Sequence, residues 1–139
     1  MGRIVAIDYG HKRSGIAVTD ELRIIATGLE AVPTAGLLDF LKRYVASNTV
    51  DCFVIGEPRQ MDNTPSESVR FIDPFIRKLR SAFPSIPVER VDERFTSMIA
   101  TRAIRDSGVR KKTRQDKSLV DLVSATLILQ SYMEQTANR

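Results

Sequence analysis

The run Arg3-Ile4-Val5-Ala6-Ile7-Asp8-Tyr9-Gly10-His11-Lys12-Arg13-Ser14-Gly15-Ile16-Ala17-Val18-Thr19 holds two β-rich apolar stretches. Arg3 to Asp8 and Ser14 to Thr19 are separated by Tyr9 to Arg13, a loop length compatible with a hairpin. A third stretch, Arg23 to Val32, follows the polar turn Asp20-Glu21. Connections this short imply an antiparallel meander, because a parallel return needs a dozen or more residues of crossover.

Beyond the meander the apolar period changes. Leu37, Leu38, Leu41, Tyr44 and Val45 recur at helical spacing behind Pro33-Thr34, and Cys52 to Ile55 is a short buried strand ending at Gly56. Thr64-Pro65-Ser66-Glu67 has capping-box spacing with proline at the first helical position, so a helix is expected from there to about Ala82, stopped by Pro84. Ile86 to Val91 reads as a strand, Thr96 to Ser107 as a helix ended by Gly108, and Ser118 to Glu134 as a final helix. Helices alternating with strands after a meander predict an α/β fold: a mixed five-stranded sheet, antiparallel over its first three strands and then parallel, with helices on both faces. At 139 residues, 42% of them apolar, the chain is expected to form a single domain spanning residues 1–139 without disulfides, and Cys52 has no partner to make one. No secretory leader or apolar run of about 18 residues is visible, so a cytoplasmic protein without a membrane span is expected.

The formal charge of +4 is unevenly spread. Between Arg102 and Lys117 stand seven Lys and Arg against two Asp, a net +5, which leaves −1 for the rest. Such a basic segment suits a polyanion such as nucleic acid, although a solvated helix end and loop would look the same.

Acids stand where strands end, and in sheets of this kind ligands sit beyond the carboxyl ends of the strands. Asp8 ends the first, Glu57 the fourth, and Asp92 and Glu93 the fifth. On the last helix, Asp121 shares a stripe with Ala125, Ile128 and Tyr132, so it faces the core side. Each has a structural alternative: Asp8 can open a turn, Asp92 and Glu93 can pair with Arg90 or Arg94, and Ser118-x-x-Asp121 fits a capping box. Carboxylates gathered at one edge raise one another's proton affinity and call for a divalent cation. The donors are all oxygen, which suits Mg²⁺ or Mn²⁺ better than zinc. His11 reads as an exposed loop residue. Gly10 is expected to adopt a conformation closed to other residues, Gly15 to leave room for a close ligand, and Lys12-Arg13 to add positive charge beside Asp8. An acidic pocket rimmed by cations suits metal-assisted phosphodiester cleavage, with the segment around Arg110, Lys111, Lys112 and Arg114 holding the polyanion backbone.

Asp8 to Asp20, Pro58-Arg59-Gln60-Met61-Asp62, Asp92-Glu93-Arg94-Phe95-Thr96-Ser97 and Asp121-Leu122-Val123-Ser124-Ala125, in this order and in a chain of this length, resemble the YqgF (RuvX) family over essentially the whole sequence. The resemblance implies an RNase H-like fold. It also implies a nuclease processing the 5′ end of pre-16S rRNA in ribosome biogenesis, or a Holliday junction resolvase acting on four-way DNA junctions. By position it implies Asp8, Glu93 and Asp121 as the catalytic and metal-holding acids, with Lys12, Arg13 and Arg94 as basic neighbours. Where the family usually has Gly-Leu-Pro, this chain has Gly56-Glu57-Pro58. Glu57 is then an added ligand beside Asp92 or a tolerated surface change, the second being preferred.

The expected partner is precursor rRNA or branched DNA, met by a monomer or a homodimer. An actin-like phosphotransferase shares the first Asp-x-Gly hairpin but needs a duplicated domain, and the chain shows no internal repeat. A non-catalytic RNA-binding factor would need only the basic segment.

Overall fold

The computed structural model describes residues 2–57, 69–92 and 117–137. Five strands, β1 (Arg3–Asp8), β2 (Arg13–Thr19), β3 (Ala26–Pro33), β4 (Val50–Glu57) and β5 (Val88–Asp92), form one sheet in the order β3-β2-β1-β4-β5. β1 pairs antiparallel with β2 and β2 with β3, whereas β1–β4 and β4–β5 are parallel. This is the mixed α/β sheet expected of an RNase H-like fold. Among the described residues three helices join it: α1 (Leu37–Ser47), after a 3-10 turn at Thr34–Gly36, α2 (Val69–Ala82) and α3 (Lys117–Ala137). The expected helix Thr96 to Ser107 and the capping box at Thr64 lie outside the described residues.

The central strand β1 is buried on both faces, and its alternation sorts two cores. Val5 and Ile7, with Ile16, Phe53 and Ile55, pack under Leu37 and Leu41 of α1 and Ile72, Ile76 and Leu79 of α2. Ile4 and Ala6, with Ala17, Val54 and Val91, pack under Ala125, Ile128 and Leu129 of α3. The stripe inferred for the last helix is therefore the buried one.

β3 begins three residues later than its apolar content suggests. The Asp20 carboxylate accepts hydrogen bonds from the Ile24 and Ile25 N–H groups at 2.7 and 2.8 Å, and Arg23 turns with φ at 58°. This side-chain-capped turn takes Arg23 to Ile25 out of the ladder. Those two N–H bonds hold the Asp20 carboxyl below its ordinary range, Ile25 contributing most. α2 carries Pro74 in its interior, which removes one backbone donor to the preceding turn.

Candidate active site at the carboxyl edge of the sheet

Parallel pairing puts the carboxyl ends of β1, β4 and β5 on one edge. Ile7 pairs with Ile55, and Glu57 with Asp92. Asp8, Glu57 and Asp92 therefore end neighbouring strands in register. Glu93, Arg94, Arg110, Lys111, Lys112 and Arg114 lie outside the described residues.

Asp121 arrives from α3, and Gly15 explains how. Gly15 is the cross-strand partner of Asp8, and residues directly opposite in an antiparallel pair point to the same face, with α-carbons about 4.5–5.5 Å apart. A Cβ built on Gly15 would lie 2.1 Å from the Asp121 carbonyl oxygen and 3.1 Å from the Asp121 Cβ. The helix backbone thus rests directly on β2 at this glycine, and Asp8 and Asp121 flank it on one face of the sheet. The space that sequence reasoning reserved for a ligand at Gly15 is filled by α3. Farther along the same crossing, Gly28 of β3 faces Thr126 and Leu122.

Lys117 is already helical, so Asp121 lies in the second turn, beyond the third-residue position that a capping box requires. Among the described residues Arg13 pairs with it, its Nε 3.3 Å from Oδ2; the Arg13 and Asp121 side chains are 39% and 23% exposed. Of the two cations expected beside Asp8, Arg13 pairs with Asp121. Half-exposed pairs of this kind contribute under about 1 kcal/mol to stability, so Arg13 matters more for where it holds the carboxylate. Arg90, a candidate partner for Asp92 and Glu93, pairs with Asp73 of α2.

The loop between β1 and β2 is held by a ring of hydrogen bonds. The Gly10 N–H donates to Ser14 Oγ at 3.3 Å, Ser14 and Thr34 hydroxyls meet at 2.9 Å, and Thr34 Oγ1 donates to the Gly10 carbonyl at 2.6 Å. Because Thr34 spends its proton on Gly10, Ser14 donates to Thr34, and every hydroxyl is satisfied. Ser14 is fully buried, whereas His11 and Lys12 are exposed at the tip. Gly10 is required for space and not for its dihedrals: a Cβ there would sit 2.2 Å from the Arg13 carbonyl oxygen. Tyr9 packs on Phe75 of α2 with ring centroids 5.0 Å apart, and burial raises its phenol above the ordinary value. This clamp escaped sequence reasoning because Thr34 is twenty residues from Ser14; only Pro33-Thr34 as a helix start hinted at a role.

A family model described as "RuvX: Holliday junction resolvase" matches residues 2–135. The chain belongs to the RuvX family. It is 58% identical over 134 residues to a protein of Phocaeicola vulgatus named "Putative pre-16S rRNA nuclease", the match covering 96% of each chain. A relative with the same name in Porphyromonas gingivalis is also 58% identical over 134 residues, covering 96% of this chain and 97% of its own. One in Flavobacterium johnsoniae is 53% identical over 133 residues, with 96% of each covered. Within a RuvX chain, the Asp8 and Asp121 segments are two of the four that carried the resemblance.

The donor chemistry at this edge fits a hard divalent cation. Asp8 and Asp121 offer anionic oxygens without a thiolate or imidazole, a set that suits Mg²⁺ or Mn²⁺. Among the described residues no three of His, Cys, Asp and Glu gather closely enough to hold an ion by themselves. The expected third carboxylate, Glu93, lies outside them.

Proposed function

We propose that the protein is a metal-dependent endonuclease that hydrolyses nucleic-acid phosphodiesters, with the 5′ end of precursor 16S rRNA as its substrate. The observation that carries this reading is the convergence of Asp8 and Asp121 across Gly15. It joins the carboxyl edge of a central strand to a helix more than a hundred residues away, at the place where sheets of this class bind ligands. The rRNA substrate rests on the names of the relatives.

In this reading Asp8 and Asp121, with Glu93, hold Mg²⁺ or Mn²⁺; Glu57 and Asp92, at the ends of the adjoining strands, are the further acids available. Bound there, such an ion would supply charge stabilisation for the phosphoryl group and lower the pKa of a water nucleophile. The chain's own residues do the positioning. Arg13 holds the Asp121 carboxylate from the β2 side and offsets part of the negative charge that two acids bring together. Lys12, exposed at the tip of a rigidly clamped loop, meets a backbone phosphate, and Arg94, Arg110, Lys111, Lys112 and Arg114 extend that contact.

Cys52 is free and buried, which suits a reducing cytoplasm. No described helix is long and apolar enough to cross a membrane.

The second reading, cleavage of four-way DNA junctions, follows the description of the matching family. It requires a symmetric dimer to make paired cuts. Incubating the protein with labelled leader RNA and with a DNA junction, in Mg²⁺, Mn²⁺ and EDTA, separates the two. Asp8→Asn and Asp121→Asn remove ligand charge with little change of shape, and each is expected to abolish cutting while binding persists. Normal cutting by both variants overturns the assignment.

A further inference from the structure

Two neighbouring hollows on the α1–α2 face share Leu38, Pro74 and Lys78 and form one groove. The first, about 570 Å³, reaches the clamped loop that follows Asp8, where Tyr9 and His11 line it. The second, also about 570 Å³, continues along the two helices past Lys42 and Arg77 to Ser81. Its charged lining is Lys42, Arg77 and Lys78 against Asp39 alone. All three cations are exposed, and none takes part in an ion pair among the described residues. The nearby Asp73 is engaged by Arg90.

We infer that this groove is a track for a single strand of nucleic acid, its phosphates running over Lys42, Arg77 and Lys78 and one base stacking on Tyr9 at the mouth. Exposed cations along a groove are what a phosphate backbone neutralises, and the groove is continuous with the loop that follows Asp8. Tyr9 is half-buried and backed by Phe75, which fixes its ring as a platform. Stacking on such a ring requires an unstacked base, which a single strand offers and a duplex does not. The inference adds to the nuclease reading a direction of approach and a strandedness, and it rests on that reading only in taking nucleic acid as the substrate.

Fluorescence anisotropy in EDTA tests this, with a short labelled single-stranded RNA, the DNA of the same sequence, and the matching RNA duplex. The triple variant Lys42→Gln, Arg77→Gln, Lys78→Gln is expected to bind single strands at least about tenfold more weakly at moderate salt. Its slope of log K against log salt should shrink by about 2, since each lost phosphate contact on a single strand removes about 0.7. Tyr9→Leu is expected to weaken single-strand binding about tenfold and Tyr9→Phe to restore it, the ring being what stacks. Melting curves identify any variant that has lost its fold.

Preference for either single strand over the duplex supports the track, and the stronger of the two names its source. A triple variant that binds and cuts like the wild type overturns the track and leaves the nuclease reading standing. A wild type that binds the duplex as tightly as the single strands also overturns it. If the wild type binds none of the three, both readings fall.

Discussion

Gly15→Ala tests the geometry that joins the two acids. The added methyl would start 2.1 Å from the Asp121 carbonyl oxygen and 2.5 Å from its carbon, both backbone atoms of a helix that cannot rotate aside. Restoring ordinary contact at 3.4 Å moves α3 off the sheet by about 1.3 Å at this point. Overpacking typically costs about 1–3 kcal/mol, and the upper end applies because β2 is held between β1 and β3. For a chain of this size about 3 kcal/mol lowers the melting temperature by roughly 12 °C. Activity should suffer more than stability, since a displacement of about 1 Å in a catalytic group can cost about a hundredfold.

The assay is thermal melting followed by leader-RNA cleavage at a temperature where the variant remains folded. Two other glycines calibrate it. At Gly28 the nearest atom to a new Cβ is the Thr126 hydroxyl at 3.2 Å, which a small rotation relieves, so Gly28→Ala should cost under about 1 kcal/mol. At Gly36 nothing lies within 4 Å and φ is −103°, so Gly36→Ala should be neutral or stabilise by about 0.4–1 kcal/mol. A Gly15→Ala protein that melts within about 2 °C of the wild type and cuts at the wild-type rate refutes the close seat of α3 on β2.

Two further outcomes follow from local chemistry. Ser124 is 1% exposed, and its hydroxyl finds no hydrogen-bond partner among the described residues, so Ser124→Ala should raise stability by about 1 kcal/mol, read from urea midpoints at constant m-value. The Asp51 carboxyl is held below its ordinary value, first by the Gly2 N–H and then by Arg23, so its stabilising contribution is present above the unfolded-state value near pH 4 and disappears as the pH falls through the folded value. Asp51→Asn should therefore be less stable than the wild type at pH 7, by a margin that shrinks as the pH falls through the folded value; a difference that persists unchanged into acid would contradict the linkage.

Much of the scaffold was legible because it depends on period and connection length. The β-rich apolar runs Arg3 to Asp8 and Ser14 to Thr19 mark both strands, and the short connection Tyr9 to Arg13 implies the antiparallel pair that forms, with β2 starting one residue earlier at Arg13. The stripe Asp121, Ala125, Ile128 and Tyr132 identifies the buried side of α3 from helical spacing alone. The start of β3 differs from the sequence expectation because Ile24 and Ile25 look like strand residues, whereas donating their N–H groups to the nearby Asp20 carboxylate outweighs propensity when the segment gains no burial.

The amino-acid order by itself determined the mixed sheet, the acids at its strand ends and the family, because these are encoded in local spacing and residue type. Only the tertiary structure decided what each of those residues meets. A glycine's missing side chain does not say whether a ligand or a helix takes the space, an arginine can reach either of two carboxylates, and cations on separate helices become one surface only once the helices are packed. Such pairings depend on contacts between residues distant in the chain, and no local pattern records them.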